Sequence, residues 1–139
     1  MSQRMLEALW QAFLDTVWMV GASAVIVWFA GLALGLFLVT SGKGGIFAAP
    51  RANAVLGALV NGFRATPFII LLVALIPLTR LLTGTTIGVW AAIVPITISA
   101  TPFFARIAEV SLREVGAGVV EAAQAMGCKR RHIIFNVLL

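Results

Sequence analysis

The sequence predicts an all-α membrane protein with three transmembrane helices followed by a cytoplasmic helical segment, and three observations carry that class. Of 139 residues, 61% are hydrophobic and only 11% are charged, whereas a soluble domain carries about 25% charge. The charges cluster between long uncharged runs. The longest run exceeds the roughly 20 residues a helix needs to cross the hydrocarbon. A soluble fold of this size would have to solvate its outside with far more charge. The apolar residues neither run low nor keep a three- or seven-residue period, which excludes disorder, collagen and coiled coil.

From Thr16 to Gly42 no residue is charged, 27 positions in all, and the first span is placed at about 17–39. A cleaved signal peptide would need a basic start and a shorter apolar core, but Glu7 and Asp15 precede a run about twice too long for one. Gly31 and Gly35 stand four apart in this span, which permits close helix approach, or marks only a glycine-rich helix. Ser41 to Gly45 is not a phosphate loop: Phe37 stands where the first glycine belongs and Gly44 follows Lys43 in place of Ser or Thr. It reads as a cytoplasmic turn.

Between Arg64 and Arg80 lie 15 uncharged residues, about 22 Å of helix. That is too short for the hydrocarbon, so the second span borrows residues at one end and is placed at about 58–79. Thr66 before Pro67 reads as an N-cap followed by proline at the first helical position. A helix break is therefore predicted within Arg64 to Pro67, after an apolar approach helix over 54–63, and Pro77 predicts a kink near the far end.

Ile87 to Ala105 supplies 19 further uncharged residues and the third span, 87–105. Arg106, Glu109, Arg113 and Glu114 then keep helical spacing on a helix that continues into water. At about 100° per residue, Pro95, Ser99, Pro102 and Arg106 share one stripe. Polar or irregular backbone at membrane depth belongs against protein or a water-filled cavity, so these four are the candidate path-lining residues. The competing reading is that the prolines only shape packing.

The basic residues orient the bundle. Lys43, Arg51 and Arg64 bracket the first loop, and Arg106, Arg113, Lys129, Arg130 and Arg131 follow the third span. The positive-inside rule puts both segments in the cytoplasm and the N-terminus and the Arg80 turn outside. Trp10, Trp18 and Trp90 then fall near the outer interface, where an aromatic belt belongs. Ten Lys and Arg against five Asp and Glu give a net charge of +5. Interleaved with apolar runs, these cations point to membrane lipid or a cytoplasmic partner and not to nucleic acid.

No catalytic constellation is present. The single histidine, His132, lies in a basic run, Cys128 is alone, and no Asp or Glu occurs within the spans after Asp15. Nucleophilic, metal and acid/base chemistry lack their parts. No catalytic or metal residue is therefore expected, which leaves passage, gating or docking. In the tail, Val115 to Gly118 reads as a turn and Val119 to Met126 as a short helix closed by Gly127. Lys129 to His132 then open the next segment, cations that oppose a helix dipole.

Glu121-Ala122-Ala123, three residues, then Gly127 resembles the cytoplasmic "EAA" loop of ABC importer permeases. Nine residues after that glycine the family pattern has Ile, any residue, Leu and Pro; here Val137, Leu138 and Leu139 follow, with Val137 in place of Ile. The run from Asn61 to Arg80, with Phe63 to Leu72 at its centre, is similar to the second span of amino-acid-type permeases. Together with Gly84-Thr85 and Ala91 to Pro95 it resembles methionine-importer permeases in particular. The resemblance covers 54–139 well and the first span only in length and hydrophobicity.

That resemblance implies a type I importer permease of five spans in the bacterial cytoplasmic (inner) membrane, its N-terminus outside, of which 1–139 is an N-terminal portion. It implies a homodimer around a central path, an extracytoplasmic binding protein that delivers the amino acid, and two cytoplasmic ATPase subunits. ATP is then used by those subunits, and this chain binds no cofactor. The loop over 106–139 becomes the coupling segment, with Glu121, Ala122, Ala123 and Gly127 in the docking element. The length departs from the family pattern, since two further spans are expected after Leu139. The alternatives are a permease for another amino acid or small solute, and a non-transporting anchor that recruits a cytoplasmic partner.

Overall fold

The structure, a computed structural model, describes residues 3–42, 49–114, 117–129 and 133–134. The regular elements among them are six helices. Helix α1, Gln3–Thr40, has 38 residues and is about 57 Å long, nearly twice the hydrocarbon thickness. It buries Ser23, Val27, Gly31 and Gly35 at intervals of four, then Leu38 and Thr40. That stripe meets α5, Val89–Arg113, the other uninterrupted helix long and apolar enough to cross a membrane.

The α1–α5 contact is the main interface of the fold. A Cβ built on Gly31 would stand 2.6 Å from the Phe104 ring, and one on Gly35 would stand 2.8 Å from the Ala105 carbonyl oxygen and 2.8 Å from the Ala108 Cβ. The two helices run parallel, because higher positions on α1 meet higher positions on α5. The tilted pair Trp28 and Phe104, 5.6 Å between ring centroids, packs beside Gly31. Close backbone approach replaces the hydrophobic drive that lipid does not supply between helices.

The chain between them returns in three pieces: α2 (Pro50–Ala65), α3 (Phe68–Ala74) and α4 (Ile76–Thr83). Asn53 ties the start of α2 to the end of α1, donating from Nδ2 to the Leu38 carbonyl at 2.6 Å and to Ser41 Oγ at 3.0 Å. The predicted break is present, and α3 leaves α2 at an angle of 109°. Its mechanism differs from the expected one. Thr66 caps the end of α2, its hydroxyl donating back to the Gly62 carbonyl at 2.9 Å, with ψ 127. Pro67 occupies the N-cap position of α3, and Phe68 is the first helical residue. Pro67 is itself extended, with ψ 136, so the helix opens one residue later than the expected cap on Thr66 would have it.

The kink expected at Pro77 lies two residues earlier, at Leu75, which separates α3 from α4; Pro77 sits in the first turn of α4, where its missing N–H costs nothing. The segment 58–79 is thus shared among α2, α3 and α4. Gly84, with φ +74, caps α4 in a conformation that side chains other than glycine resist. Pro95 and Pro102 lie inside α5. Helix α6, Ala117–Ala125, follows beyond the end of α5.

Candidate functional site

At the C-terminal end of α5 one of the charges predicted to be solvated, Glu109, is buried instead, while Arg113 and Glu114 are exposed and Arg106 is half-buried. Arg106 Nη1 donates to Glu109 Oε2 at 2.6 Å, and Arg113 donates to Glu109 Oε1 from Nε at 3.0 Å and from Nη2 at 2.8 Å. Glu109 is only 4% exposed, so its burial is compensated by three charge-assisted hydrogen bonds. The cluster reaches the turn that follows α1, since a Cβ on Gly42 would lie 3.7 Å from Arg113 Nη2. Spacing of three and four residues around Glu109 was the available signal; that Glu109 is buried, with its backbone N–H beside Gly35 of α1, was not visible in it.

Helix α6 begins after this cluster. Its C-terminus is a Schellman turn: Cys128 N–H donates to the Ala123 carbonyl at 3.1 Å and Gly127 N–H to the Gln124 carbonyl at 3.0 Å. Gly127 carries φ +76. Ala123 is buried, whereas Glu121, Ala122 and Gly127 are exposed. Glu121 pairs with no cation among the described residues. The element is a short, firmly capped helix that presents a carboxylate and small residues outward, with Val119 and Met126 also exposed. The basic run Arg130 to His132 and the stretch 135–139 lie outside the described residues.

The stripe on α5 faces the α2–α4 side of the bundle. Pro95 and Pro102 are buried. Pro95 borders a cavity of about 300 Å³ shared with Leu72, Thr79 and Ala91. Ser99 donates to the Ile96 carbonyl at 3.0 Å and borders a cavity of about 260 Å³ with Phe63, Leu71 and Phe103. Arg106 borders a third, of about 250 Å³, with Arg64 and Ser111. Elsewhere, Ser23 Oγ and Thr97 Oγ1 are buried without a hydrogen-bond partner among the described residues.

The family model described as binding-protein-dependent transport system inner membrane component matches residues 44–139. The chain belongs to that family. As an inner membrane transport component it carries α2 to α6 within the matched region, while α1 precedes it. Over nearly the whole chain it is similar to named permeases of the same kind. It is 46% identical over 138 residues to the probable D-methionine transport system permease protein MetI of Vibrio cholerae, covering 99% of this chain and 60% of that protein. It is 42% identical over 134 residues to the methionine import system permease protein MetP of Bacillus subtilis, covering 96% of this chain and 60% of that one. A solved inward-facing conformation of the MetNI methionine ABC transporter superposes with a TM-score of 0.95 at 42% identity, covering all of this chain and 64% of its counterpart. This chain therefore spans about 60 to 64% of the length of these relatives.

Proposed function

We propose that this inner membrane component forms the membrane path of an ATP-driven importer for an amino acid, methionine being the cargo its relatives' names support. The observation that carries the coupling role is α6, a capped helix with an outward carboxylate, Glu121, and a positive-φ glycine, Gly127, set just beyond an ion-paired helix end. A rigid projection of that kind transmits motion between membrane helices and a docked domain. ATP hydrolysis belongs to a separate cytoplasmic ATPase, and this chain contributes no catalytic group.

The same reading includes a second copy across a central path, an extracytoplasmic binding protein, contact with membrane lipid, and an N-terminus outside the cell. Ser99 and Arg106 would line the path, with Pro95 and Pro102 shaping it. Uptake of labelled methionine by cells whose own methionine permease is deleted tests the cargo. Expression of the full transporter should restore uptake, and excess unlabelled methionine should compete more strongly than other amino acids. Restoration by none of them, with the ATPase still co-purifying, would leave only an anchor.

A further inference from the structure

We propose that the cavity between the α2–α3 bend and α5 binds the transported amino acid, with Arg64 holding its carboxylate. The cavity has a volume of about 260 Å³, room for roughly eight waters or one small solute. Its side-chain polar groups are those of Arg64, Thr66 and Ser99. The Arg64 guanidinium lies over the Phe103 ring, 5.7 Å from its centroid, a contact that keeps the charge at the cavity wall. Among the described residues the ion pairs are those of Glu109 with Arg106 and Arg113. Arg64 therefore has no carboxylate partner there, and its planar fork of donors matches a carboxylate.

The other groups match the rest of an amino acid. Ser99 Oγ donates to the Ile96 carbonyl at 3.0 Å and Thr66 Oγ1 to the Gly62 carbonyl at 2.9 Å. Each hydroxyl has given its single proton to its own helix and keeps only lone pairs, so both can accept from an ammonium group. Neither can then donate to an anion, which leaves Arg64 as the anion's partner. The remaining walls, Phe63, Phe68, Leu71 and Phe103, are apolar. An aliphatic or thioether side chain suits them, a sulfur gaining contact with the rings. An inorganic anion would leave those walls unused, and a cationic side chain would meet Arg64. On α5 the lining residues Ser99, Ala100 and Phe103 all precede Arg106, in the part of the helix read as spanning the membrane, where charge pairing is stronger than in water. A zwitterion with an apolar side chain is the solute that uses every wall. The proposal deepens the importer reading and rests on its placing of Ser99 on the path.

The test treats the complete transporter in mild detergent with a photoreactive diazirine analogue of methionine and locates the labelled peptides by mass spectrometry. Label should fall on peptides of this chain that carry Phe63 to Leu71 and Ser99 to Phe103. Unlabelled methionine should displace it, and methionine methyl ester, which has no anionic carboxylate, should not. Arg64→Gln should lower labelling about tenfold or more, the weight of a hydrogen bond to a charged group. Ala100→Leu, which fills the cavity and leaves Arg64 in place, should lower it as well. Circular dichroism and co-purification of the ATPase check that both variants are folded and assembled. Labelling at the wild-type level in either folded variant, or equal competition by the ester, would overturn the proposal. Methionine uptake by cells is measured alongside. Uptake with no label on these peptides overturns the site and leaves the importer reading standing, whereas label without uptake upholds the site and overturns that reading.

Discussion

Glu109 shows at the residue scale how one side chain holds a helix end together. Its carboxylate accepts from two arginines whose side chains remain 38% and 51% exposed, so each arginine keeps water when the carboxylate is lost. Glu109→Ala should therefore cost about 2 kcal/mol, below the range for a fully buried pair. Arg113→Ala should cost under about 1 kcal/mol, because Arg106 still pairs. The order of the two thermal midpoints, measured in the same detergent, checks this; equal midpoints would mean that Glu109 is held by packing alone. The sequence showed these charges at helical spacing but not their burial. That burial depends on the close approach of Gly35 on another helix to the Glu109 backbone, which local spacing does not encode.

Two kinds of helix junction separate at the element scale. Gly35 meets backbone across the α1–α5 interface, while Gly21 meets nothing within 4 Å. Gly35→Ala must push the helices apart and should destabilise by about 1–3 kcal/mol. Gly21→Ala should be neutral or stabilise by up to about 1 kcal/mol. Urea or thermal unfolding of the two variants decides, and a reversed order would remove the close-approach account of the interface. In α6 the Schellman turn makes Gly127→Val strain the backbone whatever space is available. That change and Glu121→Lys should each weaken ATPase co-purification about tenfold or more, given the cost of losing a desolvated charge contact. Intact association in both would reduce the helix to a solvated loop. Helices α1 and α5 and the closing glycine of α6 were legible because long uncharged runs and a positive-φ residue are local signals. The caps around Pro67 and the break at Leu75 were misplaced by one or two residues, since proline acts on the residues before it as well as on its own position.

For the whole molecule, the orientation proposed from charge asymmetry has its own test. Cysteines introduced near Lys43 should be protected from an impermeant outside reagent, as should Cys128 beside Lys129, and a cysteine at Thr83 should react. Labelling beside Lys129 from outside would invert the assignment. The membrane class needed nothing beyond composition. The 109° turn between α2 and α3 was foreseen as a break but not in size, because its angle is set by what α2 rests on, namely the end of α1, reached through Asn53, and the flank of α5.

The parallel run of α1 and α5 also imposes an order of events during synthesis. Neighbours that point the same way cannot be joined by a short hairpin, so the glycine face of α1 waits until α2, α3, α4 and most of α5 have been made. At about 5–20 residues per second, α1 spends several seconds in the bilayer without its partner and must insert on its own apolarity. A nascent-chain crosslink between cysteines at positions 35 and 108 should thus appear abruptly, only once the ribosome has released the far end of α5.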